Sequence, residues 1–298
     1  MVAPVKKMKW MILGSEGQLG RAMSAKLVRE DTEFSTFSHA QLDITNKFEV
    51  EKRILSATPD VVINTAAWTN VDSAEIQESQ ALLVNAVGPK FLAESCAKSG
   101  AKFVHISTDY VFSGKSISPW DENSDLSPVS AYGRSKASGE DFVLEAYSIN
   151  SYIVRTAWLY SPWGKNFVKT IMKIALEERR SVEVVNDQIG QPTSAMDLAT
   201  QMYWLISNEA SPGIYHGTNG GQASWFELAK RVFELLGEDA SRVIAVDSAG
   251  LPNPSIRPAY SVLGHQKWST EGMAPMRNWQ DALECAMPAI LQTINQGE

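Results

Sequence analysis

Short apolar runs alternate with longer amphipathic stretches through the first half of the chain. Runs rich in Val, Ile and Leu stand at Met8–Leu13, Val61–Asn64, Phe103–Ile106 and Tyr152–Val154, each bounded by Gly, Pro, Ser or Thr. Their length and punctuation predict buried strands. Between them, Gly17–Arg29, Lys47–Ala57, Gln80–Lys98 and Ala131–Ala146 repeat apolar residues at three and four, the spacing of one helical face. A further strand is expected around Glu33–Phe37. Strand and helix in alternation build βαβ units, hence a parallel sheet covered by helices on both faces. The pattern predicts a doubly wound α/β fold.

After Thr156 the alternation breaks down. Helices are expected at Phe167–Glu178, Asp197–Ile206, Phe226–Leu236 and Trp279–Ile290, and a strand at Val182–Val185. Leu251–Pro258 holds three prolines and reads as loop. Residues 1–155 are therefore expected to form a nucleotide-binding domain, completed by parts of 186–210 and 250–265. Residues 156–298 would supply a smaller, interleaved α/β lobe.

Composition narrows the class further. With 298 residues, 44% hydrophobic and 20% charged, the chain can bury a core in two lobes. Its 34 acidic against 27 basic side chains give a net charge of −7, which argues against nucleic acid as partner. No run reaches the roughly 18 apolar residues of a spanning helix, so no membrane span is expected. Lys6, Lys7 and Lys9 precede an apolar run, but it stops at Gly14, too soon for a leader peptide. Cys96 and Cys285 are too few for a disulfide framework and too isolated for a metal cluster. No metal is expected, and the compartment is read as reducing and cytoplasmic.

The first strand runs into Gly14-Ser15-Glu16-Gly17-Gln18-Leu19-Gly20, and a helical pattern follows. Glycines at that turn let the backbone approach a pyrophosphate, and the helix N-terminus offers it free N–H groups and partial positive charge. This is the position of the dinucleotide loop in a Rossmann-type sheet. The second strand ends in Ser38-His39 with no carboxylate to grip a ribose 2′-hydroxyl. That favours NADPH, with NADH as the alternative. Asp43 falls slightly later; it could bond an adenine amino group or cap the next helix.

Tyr132 and Lys136 stand four residues apart in a helical segment, which brings them onto one face. A phenol near pKa ~10 needs help to exchange protons near neutrality, and an ammonium supplies it. Ser107-Thr108-Asp109 follows the strand Phe103–Ile106, at the carboxyl edge where ligands bind in parallel sheets. Thr108, Tyr132 and Lys136 together suit hydride transfer at a carbonyl.

GxxGxxG, Asn64-Thr65-Ala66-Ala67, Ser107-Thr108-Asp109 and YxxxK give a chain that resembles the extended short-chain dehydrogenase/reductases acting on nucleotide sugars. Longer strings sharpen the resemblance toward reductases within that family. They are Ser107–Phe112, Arg155–Tyr160, Asn186–Gln188 with Gly190–Thr193, and Arg257-Pro258 followed by Ser261 and Leu263. The resemblance implies that NADPH lies along Gly14, Gly17, Gln18, Leu19 and Gly20. Asp43 and Ile44 would stand near the adenine, and Ala66, Ala67 and Thr69 would line the path to the nicotinamide.

It implies reduction of the C4 keto group of dTDP-4-dehydro-L-rhamnose, with another 4-keto-6-deoxy nucleotide sugar as the alternative. Tyr132 would give the proton, Thr108 hold the carbonyl oxygen, and Lys136 bind the nicotinamide ribose and lower the Tyr132 pKa. Asp109 and Trp158 are implied substrate contacts, and Arg257 is a candidate for the diphosphate, a surface salt bridge being the other option.

Dehydratases of the same superfamily carry Asp-Glu directly after the Thr, whereas Tyr110 follows Asp109 here, so elimination lacks its base. Two positions depart from the pattern. Arg21-Ala22-Met23 offers no glutamate for the magnesium-bridged dimer of some such reductases, which leaves a homodimer as an open assembly. Trp68 stands where a smaller aromatic is common, and would either narrow the nicotinamide pocket or pack. A non-catalytic NADP-binding subunit, similar to the regulatory subunit of methionine adenosyltransferase, is the reading from a different class.

Overall fold

A computed structural model describes residues 8–178, 180–250 and 255–296. Part of the expected loop, at 251–254, lies outside these residues, as do 179 in the charged run 177–180 and the lysines at 6 and 7. Five strands appear in chain order as β1 (Trp10–Leu13), β2 (Phe34–Phe37), β3 (Val61–Asn64), β4 (Lys102–Thr108) and β5 (Ser151–Thr156). A sixth, Gly213–His216, was not assigned from the sequence. All six pair in parallel, with Gly213–His216 beside β5 and the rest following as β4, β3, β1 and β2. The fold is the Rossmann-type α/β sheet that the alternation predicts.

Both faces of the sheet are buried, and the period of two decides which residues go where. From β1, Trp10 and Ile12 join the core under α1 (Gln18–Arg29) and the helix Ala195–Ser207. Met11 and Leu13 point the other way, into a core with Ile54 of α2 (Lys47–Ala57), and with Leu92 and Val143. Because β2 and β3 flank β1 on opposite sides, the chains leaving β1 and β3 diverge. They open a crevice at the carboxyl edge of the sheet.

The helical stretch read at Gln80–Lys98 is interrupted. After α3 (Val71–Ile76) and α4 (Glu78–Leu82) comes a π-turn at Leu83–Val87, and then α5 (Gly88–Ser99). Pro89 has no N–H to give Asn85 O four residues back, so the ladder widens there. α6 (Ala131–Tyr147) is capped by Ser130, whose hydroxyl accepts from Gly133 N at 3.1 Å.

The remaining elements pack round a separate core that includes Val168, Val232, Phe233, Leu283 and Ile290. It gathers the helices Phe167–Lys173, Trp225–Leu235 and Trp279–Asn295 and a parallel ribbon of Val182–Val185 with Val243–Val246. A capping box between Ser224 and Glu227 fixes the start of Trp225–Leu235, a device worth about 1 kcal/mol. Gln18, in the first turn of α1, ties the two cores together. Its Oε1 accepts from Ser161 Oγ at 3.1 Å and from Asn166 Nδ2 at 3.0 Å.

Candidate active site

The crevice is a cleft of about 750 Å³. Its near wall is the turn after β1. Gly14 has φ +74°, and a Cβ on it would lie 2.5 Å from Ala66 N. A Cβ on Gly20 would meet Gly14 O at 2.4 Å, so Gly20 sits beneath the turn and lets α1 start against it. α1 has no side-chain cap and no acidic residue in its first turn. Its first turn thus carries no carboxylate of its own to occupy the free N–H groups that an anion needs.

Gly14, Gly17, Gln18 and Leu19 line the cleft, as do Asp43, Ile44, Ala66, Ala67 and Thr69. Asp43 does not cap α2, because Asn46 does so by accepting from Glu49 N. The Asp43 carboxylate instead accepts from the N–H and hydroxyl of Thr45 at 2.9 and 2.8 Å. Burial works against its charge, but these bonds hold its pKa below the ordinary value. Trp68 is not part of the lining. It packs with Ala74, Ala81, Ala131 and Tyr132, and its Nε1 donates to Asn70 O and Ser73 Oγ. Ser38 and His39, at the end of β2, complete this side.

At the far side Thr108, Asp109, Tyr132, Lys136 and Trp158 converge on the same cleft. Thr108 ends β4, and its hydroxyl donates to Asp109 Oδ1 at 2.9 Å and accepts from Tyr110 N. The Tyr132 phenol lies within hydrogen-bonding reach of Thr108; burial pushes its pKa well above the usual phenol range, which that bond opposes. It therefore stands protonated, as a donor. Lys136 is buried, donates from Nζ to Ile106 O, and lies 3.5 Å from His105 Nε2. Burial lowers its pKa to about 8 against the pull of Glu140, so near neutrality it still carries most of its charge.

Glu140 holds this end together. Arg155, from the end of β5, grips it with Nε and Nη2 at 3.0 and 2.7 Å, and the Ser107 hydroxyl donates to it as well. Both ions of the pair are almost wholly buried. Bidentate geometry is what such a pair needs to offset desolvation. The pair joins β5 to the helix that carries Lys136, and the Ser107 bond joins that helix to the strand that carries Thr108.

Two buried polar atoms on lining residues are without a hydrogen-bond partner among the described residues. Asp109 Oδ2 and Thr156 Oγ1 are buried and make no hydrogen bond of normal geometry. Burial lifts the Asp109 pKa to about 6, although Ser261 and Thr108 work against it. Unpaired buried acceptors are costly to the fold.

Sequence reasoning missed Trp225, Lys165 and Tyr110, all in the lining. The Trp158 indole stacks on Trp225 with ring centres 3.6 Å apart and planes 11° from parallel. A Cβ on Gly190 would collide with the other edge of Trp158 at 2.6 Å. Tyr110 packs edge-on to Tyr132 at 5.6 Å. Arg257 is not in the lining; it pairs with Asp72 at 3.1 Å, and its charge works against the burial that raises the Tyr110 pKa.

Residues 8–291 match a family model described as the RmlD substrate binding domain. The chain is 40% identical over 293 residues to a dTDP-4-dehydrorhamnose reductase of Streptomyces griseus, covering 97% of this chain and 96% of that one. It is 42% identical over 282 residues to a dTDP-4-keto-6-deoxy-D-glucose reductase of Streptomyces niveus, covering 95% and 97%. Among solved structures it superposes, with a TM-score of 0.91 and 37% identity, on a dTDP-4-dehydrorhamnose reductase of Bacillus anthracis in complex with NADP, covering 95% of this chain and 99% of that one.

Proposed function

Because the chain belongs to the RmlD substrate binding domain family, we propose that the cleft reduces the C4 ketone of dTDP-4-dehydro-L-rhamnose to the alcohol of dTDP-L-rhamnose. The protein is an NADPH-dependent oxidoreductase of dTDP-linked 4-keto-6-deoxy sugars. The observation that carries the residue assignment is the convergence of Thr108, Tyr132 and Lys136 on one cleft with a glycine turn at its other end.

The turn fits the cofactor, since the missing Cβ atoms at Gly14 and Gly20, which would strike Ala66 N and Gly14 O, let the turn fold tightly against the start of α1 and bring its backbone to the cleft. When bound, NADPH supplies the hydride that reduces C4. Gly14 and Gly17 and the N–H groups opening α1 would hold its pyrophosphate. Ser38 and His39 leave room for a ribose 2′-phosphate, because no carboxylate stands there to repel it. Lys136 would bind the nicotinamide ribose, and its charge favours the Tyr132 phenolate. Tyr132 donates its proton to the nascent C4 alkoxide, and the Thr108 hydroxyl holds the oxygen. Asp109 Oδ2 would accept from a sugar hydroxyl, and Trp158 would cover the apolar face of the sugar ring. We place this reaction in the cytoplasm, where NADPH and nucleotide sugars are available; among the described residues no helix is long and apolar enough to cross a membrane.

The test is direct. Given dTDP-4-dehydro-L-rhamnose, the purified protein should consume the absorbance of NADPH, and an unchanged spectrum would refute the reading. Tyr132→Phe should lose about 10²–10⁴-fold in kcat while NADPH still binds, as followed by its fluorescence. Loss of NADPH binding instead would make Tyr132 a structural residue.

A further inference from the structure

Two polyanions must share a cleft whose lining, among the described residues, has only Lys136 and Lys165 as Lys or Arg side chains. Glu16, Asp43 and Asp109 oppose them. A diphosphate entering there lacks a cation with forked donors. Arg257 stands beside it, close enough to the cleft residue Tyr110 for its charge to act on the phenol, and paired with Asp72, next in sequence to the cleft residue Val71 at the start of α3. Its guanidinium is already taken: Nη2 donates to Asp72 Oδ2 at 3.1 Å and Oδ1 at 3.3 Å, and the Ser255 hydroxyl also donates to Oδ1.

We propose that Asp72 is a built-in competitor for the nucleoside diphosphate, a carboxylate that occupies Arg257 until phosphate oxygens displace it. The proposal rests on the nucleotide-sugar reading above. The exchange is cheap in one direction. The pair is open to water, with side chains 28% and 40% exposed, so solvent screens it and it is weakly held. A diphosphate offers more charge and a bidentate fit. The backbone that follows Arg257 is fastened by Tyr260 N to Gly114 O at 3.0 Å and Ser261 N to Ile189 O at 2.8 Å. The change is therefore a swing of the side chain, with the backbone beyond it staying in place. Asp72 raises the sugar-nucleotide concentration needed for binding and favours release of the diphosphate product.

The experiment is calorimetric titration of the full chain with dTDP and with thymidine. Asp72→Asn keeps the acceptor for Ser255 but drops the charge, and should bind dTDP about two- to fivefold more tightly, the range of an exposed ion pair. Thymidine affinity should not change. In an Arg257→Gln background, which binds dTDP more weakly, Asp72→Asn should have no effect. Unchanged or weaker dTDP binding by Asp72→Asn overturns the proposal, as does an equal gain with thymidine or in the Arg257→Gln background. A wild-type protein that binds no dTDP overturns the nucleotide-sugar reading as well, which distinguishes the two failures.

Discussion

Asp109, which we propose as a substrate contact, works against stability. Its ordinary pKa is 3.8, and burial raises it to about 6 in the ligand-free fold. The folded chain thus holds a proton that the unfolded chain gives up between these values. The stabilisation from that proton is complete below about pH 4 and lost as pH rises through about 6. At neutral pH the ionised, half-satisfied carboxylate costs on the order of 3 kcal/mol. Asp109→Asn should raise the neutral-pH stability of the ligand-free protein by ~1–3 kcal/mol and flatten its dependence on pH in that window. Urea unfolding on either side of the window measures both, and a less stable variant at neutral pH would contradict this account. The meeting of Thr108, Tyr132 and Lys136 at one cleft was legible in the sequence because a helical spacing and a strand end bring them there. The partner of Arg257 was not, since Asp72 lies 185 positions away and no local pattern links them. Trp225 was hidden for a similar reason. Its helix was readable, but which core residue its ring would meet depends on how two cores are joined.

At the scale of elements, the glycine turn and α6 carry most of the geometry. A Cβ on Gly20 would strike backbone, Gly14 O at 2.4 Å and Ser15 Cα at 2.7 Å, and neither can rotate away. On Gly17 the nearest atom is 3.3 Å off. Gly20→Ala should therefore shift α1, cost ~1–3 kcal/mol of stability and weaken NADPH binding, whereas Gly17→Ala should do far less to stability. Thermal unfolding and a fluorescence titration compare the two, and equal losses would rule out the steric explanation. The strand and helix sequence of the first half was readable from periodicity because both faces of a parallel sheet must be apolar. The π-turn at Leu83–Val87 was not, since the helical spacing of Gln80–Lys98 runs unbroken through Pro89 and does not show where the ladder widens. In the fold Asn85 N and O atoms serve elsewhere: Nδ2 donates to Trp68 O and Ser135 Oγ, and Gly139 of α6 packs directly on Asn85 O.

For the whole molecule, the net charge of −7 sets the problem that the site solves locally. An acidic protein gains no long-range attraction for phosphates, so in the proposed reading local devices, the helix N-terminus and Arg257, have to hold them. The sequence conveyed that charge and the first sheet well. It conveyed the second half poorly, where several strands are two residues long and pair across wide separations, as Leu159–Tyr160 does with Thr193–Ser194. Runs that short leave no period to read. One feature of this half offers an internal reporter. The Trp158 and Trp225 indoles are close and nearly parallel, yet not held by any covalent link. Two identical chromophores at that separation share their excited states, so the pair should give a split, two-signed band in far-ultraviolet circular dichroism that Trp225→Phe abolishes. The amplitude of that band depends on the angle and distance between the rings. A sugar nucleotide pressing on Trp158 would therefore change the optical activity of the protein, and cleft occupancy could be followed without label or turnover.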